Sequence, residues 1–271
     1  MAALRYLYFP GCKLTPFLPD YDRDTRAVLA ALDVTLEESE LNCCGYPMRH
    51  NDFTAAMYCG VRVLALAGHK GLPLLTPCKC CYGNLKQADY WMRRSSDLRR
   101  RMNTLLEKEG LFWREDLVVR HLLTALDQDI GPARLGARVR RPLDRLKVAA
   151  HYGCHALRPG DVTQFDNPLA PTIFERVLAA TGARCVEWPL RLECCGQPLW
   201  EKNDRLALAL TRRKLVDARE AGARVLATAC TYCQLQFDQA RGPGDPAAVS
   251  VSKILAAAFE IEEAEVSGFE F

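Results

Sequence analysis

Short apolar runs alternate with stretches of helical period along this chain. Leu4-Arg5-Tyr6-Leu7-Tyr8-Phe9, Leu72-Pro73-Leu74-Leu75-Thr76-Pro77, Leu146-Lys147-Val148-Ala149-Ala150-His151-Tyr152 and Ala223-Arg224-Val225-Leu226-Ala227-Thr228 read as strands. Between them, apolar residues recur at three- and four-residue steps. Ala27, Val28 and Ala31 predict a helix over 24–32; Phe53, Ala56, Met57, Val61, Leu64 and Ala65 predict another over 53–67. In the second half, 171–180 and 206–221 play the same parts. Asp52, Thr172 and Asp204 stand where N-caps are needed, and Gly68, Gly182 and Gly222 where helices should stop. A strand–helix order repeated three times in each half predicts an α/β protein of two small parallel sheets flanked by helices.

The residues after the strands make the repetition specific. Ten cysteines fall into two copies of one pattern: Cys12, Cys43-Cys44-Gly45, Cys78 and Cys81; then Cys154, Cys194-Cys195-Gly196, Cys230 and Cys233. The first cysteine precedes the pair by 31 positions in one copy and 40 in the other; the pair precedes the CxxC by 34 and 35. Such offsets mark ligands rather than packing. Both pairs continue as CCGxP, reaching Pro47 and Pro198. The glycines suit close backbone approach or a positive-φ turn. The duplication predicts two pseudo-symmetric domains, 1–92 and 147–271, joined by an Arg-rich helical connector, 93–146. Each cysteine group then lies at the carboxyl edge of its sheet, where open α/β sheets bind ligands. Helix amino termini there favour anionic thiolates and sulfides.

Bulk composition narrows the classes. The chain has 271 residues, enough for two ordinary cores, and is 49 % apolar and 25 % charged, as in soluble globular proteins. A net charge of +3 argues for neither nucleic acid nor an anionic membrane surface. No apolar run approaches the roughly 18 residues of a membrane span. The start, Met1 to Tyr6, lacks the features of a secretory signal, so a cytoplasmic location and no direct membrane insertion are expected. There, thirteen cysteines, an odd count, read as metal or redox groups rather than a disulfide framework. In the connector, Arg93-Arg94, Arg99-Arg100-Arg101, Arg138, Arg140-Arg141 and Arg145 form either a solvated face or a docking surface for an acidic partner. Val119, Leu122, Leu123, Leu126 and Ile130 predict one helix packed on the body.

Thiolates select zinc, copper(I) and iron–sulfur clusters. A structural zinc takes four ligands, and so does a regular [4Fe–4S] cube. Five thiols per half, two of them on adjacent residues, better fit a larger or irregular iron–sulfur site with one bridging thiolate. A zinc-stabilised interaction module is an alternative.

These motifs resemble the B subunits of heterodisulfide reductase, a family with two CCG domains, over nearly the whole chain. The resemblance also rests on His151-Tyr152-Gly153-Cys154-His155-Ala156-Leu157-Arg158-Pro159 and on Cys78-Lys79-Cys80-Cys81-Tyr82-Gly83-Asn84-Leu85. It implies a non-cubane [4Fe–4S] cluster in each half, one on Cys12, Cys43, Cys44, Cys78 and Cys81, the other on Cys154, Cys194, Cys195, Cys230 and Cys233. It further implies a disulfide or thiol substrate between the two clusters. The implied partners are a ferredoxin-like iron–sulfur subunit, similar to the family's C subunit, and a flavoprotein subunit, similar to its A subunit. The chain has no CxxCxxCxxxCP run of its own, so its electron donor must be another chain. Related CCG subunits of quinone- and succinate/fumarate-linked oxidoreductases make an electron-transfer role the runner-up.

Three neighbours are candidate catalytic residues. His155 could protonate a departing thiolate. Arg158 could bind an anionic group. Lys13 follows Cys12 as His155 follows Cys154, so the halves are not chemically equal. Cys59 and Cys185 read as small buried hydrophobes. Cys80 corresponds to Tyr232, which argues against a required thiol there.

Overall fold

The computed structural model describes residues 4–261, so residues 1–3 and 262–271 of the two expected domains lie outside the described residues. Two wholly parallel, four-stranded sheets carry the fold. The first has the order β2-β1-β3-β4, from β1 (Leu4–Tyr8), β2 (Val34–Glu37), β3 (Leu74–Thr76) and β4 (Val119–His121). The second repeats it as β6-β5-β7-β8, from β5 (Lys147–Ala150), β6 (Arg184–Cys185), β7 (Val225–Thr228) and β8 (Ala247–Ser250). Helices cover both faces, so the inner strands β3 and β7 are buried at every position. That double burial is why they read as unbroken apolar runs rather than alternating ones.

The fourth strand of the first sheet departs from expectation. The helical spacing of Val119 to Ile130 predicts one connector helix, but Val119–His121 instead pairs in parallel with β3, Leu74 opposite Val119 and Thr76 opposite His121. Helical turns begin only at Leu122. Val118 and Val119 favour extended backbone, and β3 would otherwise expose an unpaired edge. His121 ends the strand by accepting a hydrogen bond from Leu123 N at Nδ1, 3.0 Å, and thus caps the turn.

Helix boundaries follow local chemistry. Asp52 caps Phe53–Lys70 by accepting from Ala55 N at 2.9 Å, as expected. That helix runs past Gly68 and stops at Gly71, φ +64°. The cap of Asp204–Glu220 is Asn203, one residue before the expected Asp204. Thr172 offers no side-chain cap; Asp166 accepts from Thr172 N and Ile173 N instead.

The two sheets share one continuous apolar core. Across their junction, Thr25 Oγ1 lies 2.7 Å from Ser252 Oγ, and Tyr82 donates to Thr163 O at 2.7 Å. Helix Lys79–Arg94 runs so close to the second half that a Cβ on Gly83 would lie 2.3 Å from His155 O. Among the connector arginines, Arg93 pairs with the buried Asp89 at 2.8 Å and Arg99 with the exposed Glu115 at 3.4 Å. An exposed pair such as the second is worth about 0–1 kcal/mol. Among the described residues, no helix is long and apolar enough to cross a membrane.

Candidate metal centre

The strand order brings all ten repeat cysteines to the carboxyl edges of the two sheets, and those edges face each other. Within each half the thiols follow one layout. Cys12 and Cys43 lie at the mouth, while Cys44, Cys78 and Cys81 are buried; Cys154 and Cys194 lie outward, while Cys195, Cys230 and Cys233 are buried. Cys12 and Cys43 are 3.6 Å apart. The sets meet where Cys78 Sγ comes within 3.9 Å of Cys230 Sγ. The sulfurs gathered here are donors of the kind that iron–sulfur groups accept.

The CCG turns explain how adjacent cysteines serve one site. Gly45 has φ +91° and Gly196 φ +98°, in keeping with the positive-φ turn expected of them. A Cβ would also strike backbone: Ala56 O at 2.3 Å in the first half, Ala207 O at 2.5 Å in the second. Only glycine lets this turn press against the following helix. In the second half, Gly196 N donates to Cys194 Sγ at 3.4 Å. Hydrogen-bond contacts with Cys12 and then Cys44 pull the Cys43 thiol down to about 3; those with Cys154 and Cys195 pull Cys194 down to about 2. Their partners Cys12 and Cys154 are pushed up, first by those same contacts and then by burial. Clustered thiols cannot all ionise without a cation to share.

The expected catalytic residues separate. His155 sits at the junction, with Nδ1 3.3 Å from Cys154 Sγ and Nε2 3.2 Å from Tyr46 OH. Burial, then the Arg49 charge, lowers its pKa. Lys13 lies over the Phe17 ring at 4.5 Å and lines a cleft of about 640 Å³ above the junction. Arg158 does not line that cleft; its guanidinium donates to Leu192 O at 3.4 Å, bracing the loop before Cys194. Cys59 and Cys185 are half-buried rather than buried. Cys80 is buried, 3.7 Å from Cys230 Sγ and 3.9 Å from His155 Nδ1.

Other residues at the site were not anticipated. The cleft carries Arg49 and Lys202 beside Lys13, against one carboxylate among the described residues, that of Glu201. Arg49 stacks over Tyr46 at 3.6 Å. Beneath, Lys79 and Lys214 are each 2 % exposed. Lys79 Nζ donates to His151 O at 2.8 Å, and Lys214 Nζ to Leu190 O. Burial pushes both down to about 8, opposed by thiolates of the second half: Cys233 and Cys230 for Lys79, Cys195 and Cys233 for Lys214. A lysine inside a CxxC, where the other copy has Thr231, was the available signal for Lys79.

Fold and site together define a duplicated, thiol-rich α/β metalloprotein. The cysteine-rich CCG domain model matches residues 6–86 and 148–238. The chain belongs to this cysteine-rich CCG family and, within it, to the B-subunit oxidoreductases of the heterodisulfide reductase type. It is 30 % identical over 236 residues to the B subunit of the ferredoxin/F420H2-dependent CoB–CoM heterodisulfide reductase of Methanosarcina acetivorans, covering 85 % of this chain and 78 % of that one. It is 32 % identical to the 8-methylmenaquinol:fumarate reductase membrane anchor subunit of Wolinella succinogenes, covering 86 % and 81 %. A crystal structure of a hypothetical protein from Helicobacter pylori shares the fold, with TM-score 0.76 and 14 % identity; the match covers 96 % of this chain and about half, 49 %, of that one.

Proposed function

We propose that this chain is the catalytic iron–sulfur subunit of a heterodisulfide reductase-like complex. In this reading it reduces or forms a disulfide, or related sulfur–sulfur bond, between two non-cubane [4Fe–4S] clusters. The five thiols of Cys12, Cys43, Cys44, Cys78 and Cys81 hold one; those of Cys154, Cys194, Cys195, Cys230 and Cys233 hold the other. The observation that carries the reading is the meeting of the two sets across one junction, 3.9 Å apart at Cys78 and Cys230, beneath a cationic cleft. Clusters bound there would supply single electrons and thiophilic iron.

The chain's own residues account for the rest of the chemistry. Cleavage of a disulfide consumes two electrons and two protons and yields two thiols. Arg49, Lys13 and Lys202 attract an anionic disulfide into the cleft. His155 Nδ1, beside Cys154, gives a proton to a departing thiolate, and Tyr46 OH at Nε2 is the route by which the imidazole regains one. The buried wall of the cavity around the second thiol set keeps water from competing. A ferredoxin-like subunit exchanges the electrons, and a flavoprotein lies beyond it. The functional units are 1–92, whose sheet is completed by β4 from within 93–146, and 147–271. We assign the protein to the cytoplasm, reaching a membrane only through a partner.

A second reading, an electron-transfer subunit of a quinone- or fumarate-linked enzyme, is favoured by the Wolinella relative. Anaerobic spectra before and after adding thiols separate the two. Thiol-induced paramagnetic signals support disulfide chemistry; clusters that change redox state but ignore thiols support the relay.

A further inference from the structure

The two thiol sets are matched in ligands but not in what surrounds them. Counting from the shared CCG and CxxC positions aligns the rest, and Ala56 and Ala207 confirm the register because both carbonyls contact the CCG glycine. Three positions then differ in kind. His151, three residues before Cys154, answers to Phe9 before Cys12. Lys214, eighteen after Gly196, answers to Val63 after Gly45. Lys79, after Cys78, answers to Thr231 after Cys230.

All three polar members gather at the second set. His151 is fully buried, and neither ring nitrogen has a hydrogen-bond partner among the described residues. A ring nitrogen of His151 and the sulfurs of Cys195 and Cys233 all lie within 4.8 Å of one another. A Cβ on Gly153 would sit 3.2 Å from His151 Nε2 and 3.8 Å from Cys233 Sγ, so that edge of the ring faces the ligand loop. An unpartnered imidazole at this depth is destabilising unless a ligand atom satisfies it. Lys79 starts in the first half but crosses the junction, lining the small cavity that Cys154, Cys194, Cys195, Cys230 and Cys233 also line. Lys214 approaches from helix Asp204–Glu220, its Nζ 4.8 Å from the Trp188 ring centroid. The corresponding side chains are Phe9 and Val63, both buried and apolar, and Thr231, buried and neutral, whose Oγ1 has no hydrogen-bond partner among the described residues.

We propose that the second cluster is the higher-potential site, held there by the Lys79 and Lys214 charges and by a hydrogen bond from His151 to a cluster sulfur. Positive charge and hydrogen bonds to sulfur stabilise the reduced, more negative state of an iron–sulfur group. A single electron delivered by the donor subunit therefore rests on the second site, and no bond forms or breaks in that step. This inference rests on the cluster reading given under the proposed function. His151, Lys79 and Lys214 act through the cluster and are positioning residues.

Stepwise reductive titration of the anaerobic holoprotein, followed by paramagnetic resonance and Mössbauer spectroscopy, tests it. Two steps of different midpoint are expected, and Cys195→Ala should remove the higher while Cys44→Ala removes the lower. Lys214→Met and His151→Phe should each weaken reduction at the higher step at least tenfold, about 59 mV for one electron, and leave the lower step in place. His151→Gln, which keeps an N–H, should recover much of the loss. If the second-half variants fold poorly, Phe9→His gives the reciprocal reading: it should raise the lower step. Coincident midpoints, loss of the higher step in Cys44→Ala, or shifts shared equally by both steps would overturn the proposal. So would a strong directly bonded nitrogen coupling from His151, which would make it an iron ligand. Wild-type protein without acid-labile sulfide would overturn the cluster reading as well; intact clusters of equal midpoint overturn this inference alone.

Discussion

The first and second halves of the molecule are the same machine built with different linings. Both place a cysteine four residues after a parallel strand, turn a CCG corner through a positive-φ glycine, and bury a CxxC at the start of a helix. Yet the second set has His151, Lys214 and Lys79 beside it, where the corresponding positions hold Phe9, Val63 and Thr231. Even the residue after the first cysteine differs: Lys13 lines the open cleft, and His155 fills the junction. The ligand skeleton depends on backbone geometry, which tolerates little change. The lining does not, so duplication left it free to specialise.

The comparison can be broken most forcefully at the ligands. Cys44→Ala and Cys195→Ala should each remove about half of the iron and sulfide, leaving the other half bound, because each set is closed within its own sheet edge. Loss of all the metal in either variant would mean the sets act as one site. Next comes the proton route. His155→Gln should lower turnover about a hundredfold with metal content intact, the lower end of general acid–base contributions, while Lys13→Gln should chiefly raise KM. Equal kcat losses would erase that difference between halves.

The shared skeleton is probed by Gly45→Ala and Gly196→Ala. Positive φ alone costs on the order of 1–3 kcal/mol, and the carbonyls of Ala56 and Ala207 add a steric cost, so both variants should lose similar thermal stability. The smallest effect belongs to the lining. The folded pKa of Lys214, about 8, lies below its unfolded value, so the unfolded chain binds more protons between pH 8 and 10.5. Stability of the metal-free wild type should therefore rise relative to Lys214→Met across that window. A constant difference between the two melting curves over that range would remove the buried cation from the picture.

Much of this is legible in the sequence because parallel sheets impose readable patterns. Doubly buried strands such as β3 and β7 give unbroken apolar runs, and the cysteines that come after them mark the carboxyl edge without any knowledge of tertiary structure. The helix-like spacing of Val119 to Ile130 misleads, because a short edge strand followed by a helical turn places apolar residues much as one helix does. Asn203 is hard to tell from Asp204 as a cap, since Asn and Asp serve equally well and stand side by side. The burial of Lys79 and Lys214 is hidden for a different reason, although the place of Lys79 inside a CxxC marks that residue. A lysine on a helix reads as solvated, and only the packed fold turns these two inward.

Everything proposed for this protein depends on what the ten thiols hold. Protein purified without exposure to oxygen should be analysed for iron, acid-labile sulfide and zinc in one preparation. Two four-iron clusters predict about eight irons and as many sulfides per chain, with little zinc. Near-stoichiometric zinc without sulfide would contradict the cluster assignment.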